Sequence, residues 1–204
     1  MADYSTMIEQ FGDWWGQDST GMEDFMGKIA HHESAGTMDP SIHQYGGGPG
    51  RGLFQYEKTF KDKEGNYAQA GGMTARNRLA GWYEEQDAGV PDWLNQEGME
   101  DPSIGFDASL LDEEQQKMLF LADKRYDETA SLRPDKVKDT ANWWAKHHWK
   151  GGEEGSDIYN KRVSSFNEDL MMDDVVKEQG ADAFGSKFGT GEGKIANFFK
   201  GVFK

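Results

Sequence analysis

Met22, Phe25, Met26, Ile29 and Ala30 recur at the period of an α-helix, and that stripe leads straight into a carboxyl group at Glu33. From Met22 to Glu33 is 11 steps of about 100°, a net rotation of about 20° beyond whole turns, so Glu33 lies beneath the apolar residues. Thr20 and Glu23 stand at capping-box spacing where this helix should begin. Gly36 and Pro40 oblige it to end within a few residues of Glu33. The chain is thereby committed to a buried helix whose last turn carries an acid on the core side. Desolvation disfavours the anion of such an acid, and the negative end of the helix dipole does the same. The glycine-rich chain that follows lets a polymer come close to the backbone.

Residues 35–57 hold Gly46, Gly47, Gly48, Gly50 and Gly52 around Pro49, a composition that suits tight turns or a small hairpin. A helix is predicted through Thr74–Glu85, with Trp82, Tyr83 and Trp93 packing or lining a groove. Ser109 and Asp112 open a capped helix whose Leu111, Met118, Leu119, Ala122 and Tyr126 share one face. Pro134 starts another, with Val137, Ala141, Trp144, Ala145 and His148 on its stripe. Beyond the break at Gly151, Gly152 and Gly155, a last helix carries Ile158, Tyr159, Arg162, Val163, Phe166 and Leu170. The expected fold class is mainly α, an α+β arrangement with one small β-hairpin patch.

The expected organisation has four parts. Residues 1–20 form an N-terminal arm or short helix that packs through Phe11, Trp14 and Trp15, and residues 21–172 form the main domain. Residues 173–193 form a flexible linker that turns rich in Gly, Ser and Lys. Residues 194–204 form a short amphipathic helix, with Ile195, Phe198, Phe199, Val202 and Phe203 on one face and Lys194, Lys200 and Lys204 elsewhere.

A net charge of −15, spread without blocks of like sign, repels nucleic acid and excludes long-range attraction to any anionic polymer. With no cysteine there is no disulfide, no thiolate metal site and no cysteine nucleophile. The first ten residues lack a basic region and an apolar core, so no secretory signal is expected. No apolar stretch approaches the roughly 20 residues that span a bilayer.

Glycoside cleavage requires a carboxylic acid still protonated near neutral pH beside the leaving oxygen, and Glu33 has the setting for it. The run Ile29-Ala30-His31-His32-Glu33-Ser34, followed by Gly50-Arg51-Gly52-Leu53-Phe54-Gln55, resembles the lysozyme-like superfamily: goose-type lysozymes, soluble lytic transglycosylases and phage tail lysozymes. In those families a helix ends in Glu-Ser, and a Gly-Leu-hydrophobic-Gln segment follows a short way downstream. Asp39-Pro40 is similar to the link after Glu-Ser, and Tyr56 supplies the aromatic residue that often follows the Gln in phage proteins. Leu111 to Arg125, with Glu114-Gln115-Gln116 ahead of an apolar run, is similar to the helix after the active-site loop. Trp143 to Gly152, then Tyr159 and Arg162-Val163, occupies the position of the aromatic-Asn-Ala-Gly segment and later Tyr of transglycosylases. It departs from that pattern, because Asn160 follows the Tyr and no Asn-Ala-Gly is present.

The resemblance implies a lysozyme-like domain that cuts the bond between N-acetylmuramic acid and N-acetylglucosamine in peptidoglycan. Glu33 would be the general acid and then base, supported by Ser34, and Gln55, Tyr56, Glu57, Trp143 and Tyr159 would contact the glycan. Glu57, Asp39 and Glu64 are candidates for a second carboxylate if the enzyme hydrolyses. A transglycosylase needs only one acid, because the sugar's own 6-hydroxyl attacks. Cofactor and metal are expected to be absent. His31 beside His32, and His147 beside His148, project about 100° apart on a helix and lack the i, i+4 spacing of a zinc site. Helical phase directs Trp144 inward and Trp143 towards solvent, which favours Trp143 as a sugar platform.

Without a secretory signal, a murein-cleaving chain must be delivered another way; a holin-type release would do so, as would a phage virion acting at the host periplasm or cell wall, which is the expected setting. The terminal helix then docks on other virion proteins, in preference to lying on a membrane or packing back on its own domain. The alternative is a virion structural or ejection protein that keeps the fold without catalysis.

Overall fold

The computed structural model describes residues 2–126 and 140–179. The protein is mainly helical with two small two-stranded antiparallel hairpins among the described residues. It divides into two compact units, Met1–Thr140 and Ala141–Lys204. Among the described residues no helix is long and apolar enough to cross a membrane.

The first unit runs α1 (Tyr4–Trp15), α2 (Ser19–Glu33), β1 (Gly50–Arg51), β2 (Tyr56–Glu57), β3 (Phe60–Lys61), β4 (Tyr67–Ala68), α3 (Gly71–Glu85) and α4 (Glu113–Tyr126). Its core is built around α4, where Gln116 and every residue from Met118 to Lys124 are buried. Each of Leu119, Phe120 and Leu121 contributes about 1.5–3 kcal/mol by leaving water, and Phe120 stacks on Phe54 with ring centroids 4.4 Å apart. The cap of α4 is not the expected Ser109 with Asp112: Ser109 lies in a short turn with its hydroxyl on Asp107, and Asp112 itself caps the helix, the Gln115 N–H reaching its carboxylate at 2.9 Å and the Asp112 N–H reaching the Gln115 side-chain oxygen at 3.0 Å.

The N-terminal segment packs as a short helix through Phe11 and Trp15, as expected, with α1 also burying Met7 and Ile8, whereas Trp14 is exposed. The Trp82 indole of α3 donates to Gln10 at 3.2 Å, and the Tyr4 hydroxyl donates to Glu23. Asp18 and not Thr20 caps α2, its carboxylate accepting the Gly21 N–H at 2.7 Å. Glu23 is unavailable for a capping box, since Tyr4 and Lys117 hold its carboxylate.

The glycine-rich stretch forms the expected hairpin, β1 pairing β2 with Gly50 opposite Glu57 and Arg51 opposite Tyr56. A second hairpin, β3 with β4, was not expected; Asp62 turns its tip by accepting the Asn66 N–H at 2.8 Å.

In the second unit α5 (Thr140–Trp144) passes into a π-helical turn (Ala145–Trp149) that Lys150 stops at φ 54°. α6 (Asp157–Gln179) follows. Trp144 packs against Phe166 and Trp149 at ring separations of 5.3 and 6.1 Å. α6 continues through residues 173–179, which are therefore helix and not linker. The expected helix start at Pro134 with Val137, the rest of the linker, and the amphipathic helix at 194–204 lie outside the described residues.

Candidate active site

α2 ends at Glu33 because the next four residues cannot continue it. Ser34 is fully buried; its hydroxyl accepts the Met38 N–H at 3.1 Å and its carbonyl accepts the Thr37 hydroxyl at 2.9 Å. The chain folds back through Ala35, Gly36 and Met38, with φ of 51°, 76° and 52°. That conformation costs an L-residue about 1–2 kcal/mol, and at Gly36 a Cβ would also press on the His31 ring at 3.2 Å. Glu33 stands half-buried where helix gives way to this turn. Ser34 therefore shapes the loop from within, and a fully buried hydroxyl is not placed to touch a glycan.

The loop then runs beside β1. Ile42 accepts the Gly52 N–H at 2.8 Å, and Gln44 donates to Gly50 at 2.9 Å. One side chain from α4 closes the assembly. Gln116, 1% exposed, accepts the Leu53 N–H at 2.6 Å and donates to the carbonyls of Pro40 at 2.8 Å and Leu111 at 2.9 Å. A single buried amide thus joins the segment after Glu33-Ser34 to Gly52-Leu53-Phe54-Gln55. Gly52 is required beside it, with φ 74° and an added Cβ only 2.3 Å from the Gln116 oxygen.

Gln55 sits at φ 48° in the hairpin turn, its side-chain amide donating to Gly52 at 2.8 Å. Its buried side-chain oxygen has no hydrogen-bond partner. Tyr56 is turned the other way: it is buried, and its hydroxyl lies 3.1 Å from Asp123. It is a core residue and not a glycan contact. Glu57 is exposed on β2, and Glu64 is exposed at the tip of the second hairpin. Asp39 is exposed, and the hydroxyl and N–H of Ser41 hold its carboxyl below the usual carboxylate range.

Trp143 and Tyr159 belong to the second unit. Both are buried, Trp143 at 4% exposure, so Trp143 is no solvent-facing platform. The Tyr159 hydroxyl lies 3.1 Å from both the main-chain and side-chain oxygens of Asn142. Of the histidines, His31 and His32 close the last turn of α2, and His147 and His148 lie in the π-helical turn. Among the described residues no group of three or more His, Asp or Glu is placed to hold a metal ion.

One carboxylate near the hairpin escaped the sequence reading. Asp107 is buried, accepts the Ser109 hydroxyl at 2.6 Å and the Lys58 ammonium at 3.0 Å, and has Arg51 at 3.9 Å. Burial alone would raise its pKa; the Ser109 hydroxyl, Lys58 and the Ser109 N–H outweigh that and hold it low. The Asp-x-Ser spacing at 107–109 signals the local turn, but nothing in the sequence signals Lys58 and Arg51.

No family model, curated protein or solved structure matches this chain.

Proposed function

We propose that this protein cleaves the N-acetylmuramic acid to N-acetylglucosamine bond of peptidoglycan on a lysozyme-like scaffold, with Glu33 as the proton-transferring acid. The observation that carries this reading is the Gln116 bridge. Three segments singled out by their resemblance to one enzyme superfamily, Glu33-Ser34 with its loop, Gly52 to Gln55, and the start of α4, are hydrogen-bonded through a single buried amide. Unrelated motifs matched by chance have no reason to share a fastening. The half-buried position of Glu33 at a helix end suits a general acid. The proposed setting is a phage virion during genome delivery, with attachment to other virion proteins through residues 194–204.

A second reading has a specific observation in its favour. Tyr56, Trp143 and Tyr159 are all buried, so three of the expected glycan contacts serve packing, and Ser34 is buried within its own loop. A virion structural or ejection protein that keeps the scaffold without catalysis would look like this.

Glu33→Gln separates the two. Loss of a general acid lowers the rate about 100-fold or more, so the variant should fold normally, by circular dichroism, and fail to clear purified murein that the wild type clears. A wild type inert on murein supports the structural reading. Product mass then distinguishes the reaction types: a 1,6-anhydro end marks the single-acid transglycosylase.

A further inference from the structure

A groove of about 450 Å³ opens between the start of α1, the chain after α3 and the start of α4. Tyr4, Ala88, Pro91 and Trp93 form its part-exposed apolar walls, over the buried Tyr83 and Met118. Its volume falls within the roughly 300–1,000 Å³ of small-molecule pockets, so an aromatic side chain fits inside. Asp3, Asp112 and Glu114 stand at the rim, all exposed, and no Lys or Arg lines it. Asp3 and Asp112 are engaged in capping α1 and α4, where they offset the helix dipoles, whereas Glu114 caps neither helix. An apolar hollow with an acidic edge suits neither a bare cation nor an uncharged ligand; it suits a partner with an apolar face and basic flanks.

The chain carries a segment of that description. Residues 194–204 lie outside the described residues and enter by sequence alone. They hold Ile195, Phe198, Phe199, Val202 and Phe203 at helical spacing, with Lys194, Lys200 and Lys204 and no Asp or Glu. A helix with one apolar face binds a groove by seating its large side chains while its polar face meets the rim. Here the rim is acidic and the polar face basic, so the charges are complementary where they meet. Residues 180–193 separate this segment from α6 and span at most about 50 Å, enough to reach a neighbouring molecule.

We infer that the groove receives residues 194–204 of a second copy of this chain, with Phe198 and Phe199 seated against Trp93 and the lysines facing the rim carboxylates. The contact is head to tail: each copy offers one groove and one segment, so copies join in series. The inference rests on the reading of residues 194–204 as an attachment segment and gives that segment its partner. It does not involve Glu33.

Sedimentation velocity of the full chain over a concentration series, without murein, tests it. The wild type should gain mass as concentration rises. Phe198→Ser with Phe199→Ser removes the anchors of the segment, and Glu114→Lys reverses a rim charge at an exposed position. Each variant alone should associate at least about tenfold more weakly. The mixture is decisive, because one variant keeps its groove and the other keeps its segment: together they should form a heterodimer and nothing longer. A wild type that stays monomeric at every concentration, or association that survives both variants, overturns the assignment. So does a monomer in which the paired Phe change shifts the Trp93 indole NMR resonance, since the segment then fills the groove of its own molecule. Murein clearing by the wild type and by Glu33→Gln is a separate measurement, so the catalytic reading and this one fail independently.

Discussion

Tyr56 lies next to Gln55 in sequence, yet its hydroxyl joins Asp123, whose carboxylate also takes Arg78 at 2.5 Å and Lys124 at 2.8 Å. Asp123 and Lys124 are both buried, so each partner matters to keeping these charges out of water. Hydrogen bonds to charged groups are worth about 1.5–3 kcal/mol. Tyr56→Phe should therefore lower the unfolding free energy in urea by about that much and leave the affinity for glycan fragments unchanged. The reverse result, a stable variant with weakened glycan binding, would return Tyr56 to the substrate. The position of Glu33 was legible because the apolar stripe, Gly36 and Pro40 are all local signals. Trp143 was not, since its assignment to solvent assumed an α-helical period through Trp149. Among the described residues that period holds from Thr140 to Trp144 and then widens into the π-helical turn, and Trp143 and Trp144 are both buried.

Elements here are set by local rules until a distant side chain intervenes. Asp112 caps α4 with Gln115, three residues on, where the sequence pattern pointed to Ser109 with Asp112; Ser109 is taken by Asp107 instead. Thr20 with Glu23 has the same spacing and fails, because Tyr4 from α1 and Lys117 from α4 take the Glu23 carboxylate and Asp18 caps α2. Gln116 is the extreme case. Its partners at Pro40 and Leu53 are far away in sequence, so its role becomes visible only once α4 lies under the loop and hairpin. Gln116→Leu has similar bulk but strands two buried groups, the Leu53 N–H and the Leu111 carbonyl, and also the part-buried Pro40 carbonyl, without this partner. Each unsatisfied buried group costs about 1–3 kcal/mol, so the variant should lose about 2–6 kcal/mol in urea unfolding. Amide exchange should speed up first at Leu53. If murein clearing is wild-type in the fraction that stays folded, the bridge is not part of the active arrangement.

At the scale of the whole molecule, two electrostatic effects oppose one another as pH falls. The net charge of −15 is self-repelling at pH 7, so approach to the isoelectric point near 4.7 relieves strain on the compact state. Asp107 works in the other direction. Its folded-state pKa is depressed below the unfolded value of about 3.9, so its contribution is complete above that value and disappears as pH falls through the folded one. Asp3, Asp39 and Asp101 are shifted the same way by hydrogen bonds from neighbouring Ser and Thr groups, but they are exposed and weigh less. Asp107 matters more because it is buried and connects Lys58 and Arg51 of the hairpin region to the segment that leads into α4. Thermal midpoints measured across pH should therefore rise gently from about 8 to about 5 and fall steeply below about 4. Asp107→Asn should lower the plateau and flatten the acid limb, since the amide can still accept from Ser109 but cannot titrate or pair with Lys58. An acid limb as steep in Asp107→Asn as in the wild type would assign the acid sensitivity to the remaining carboxylates acting together.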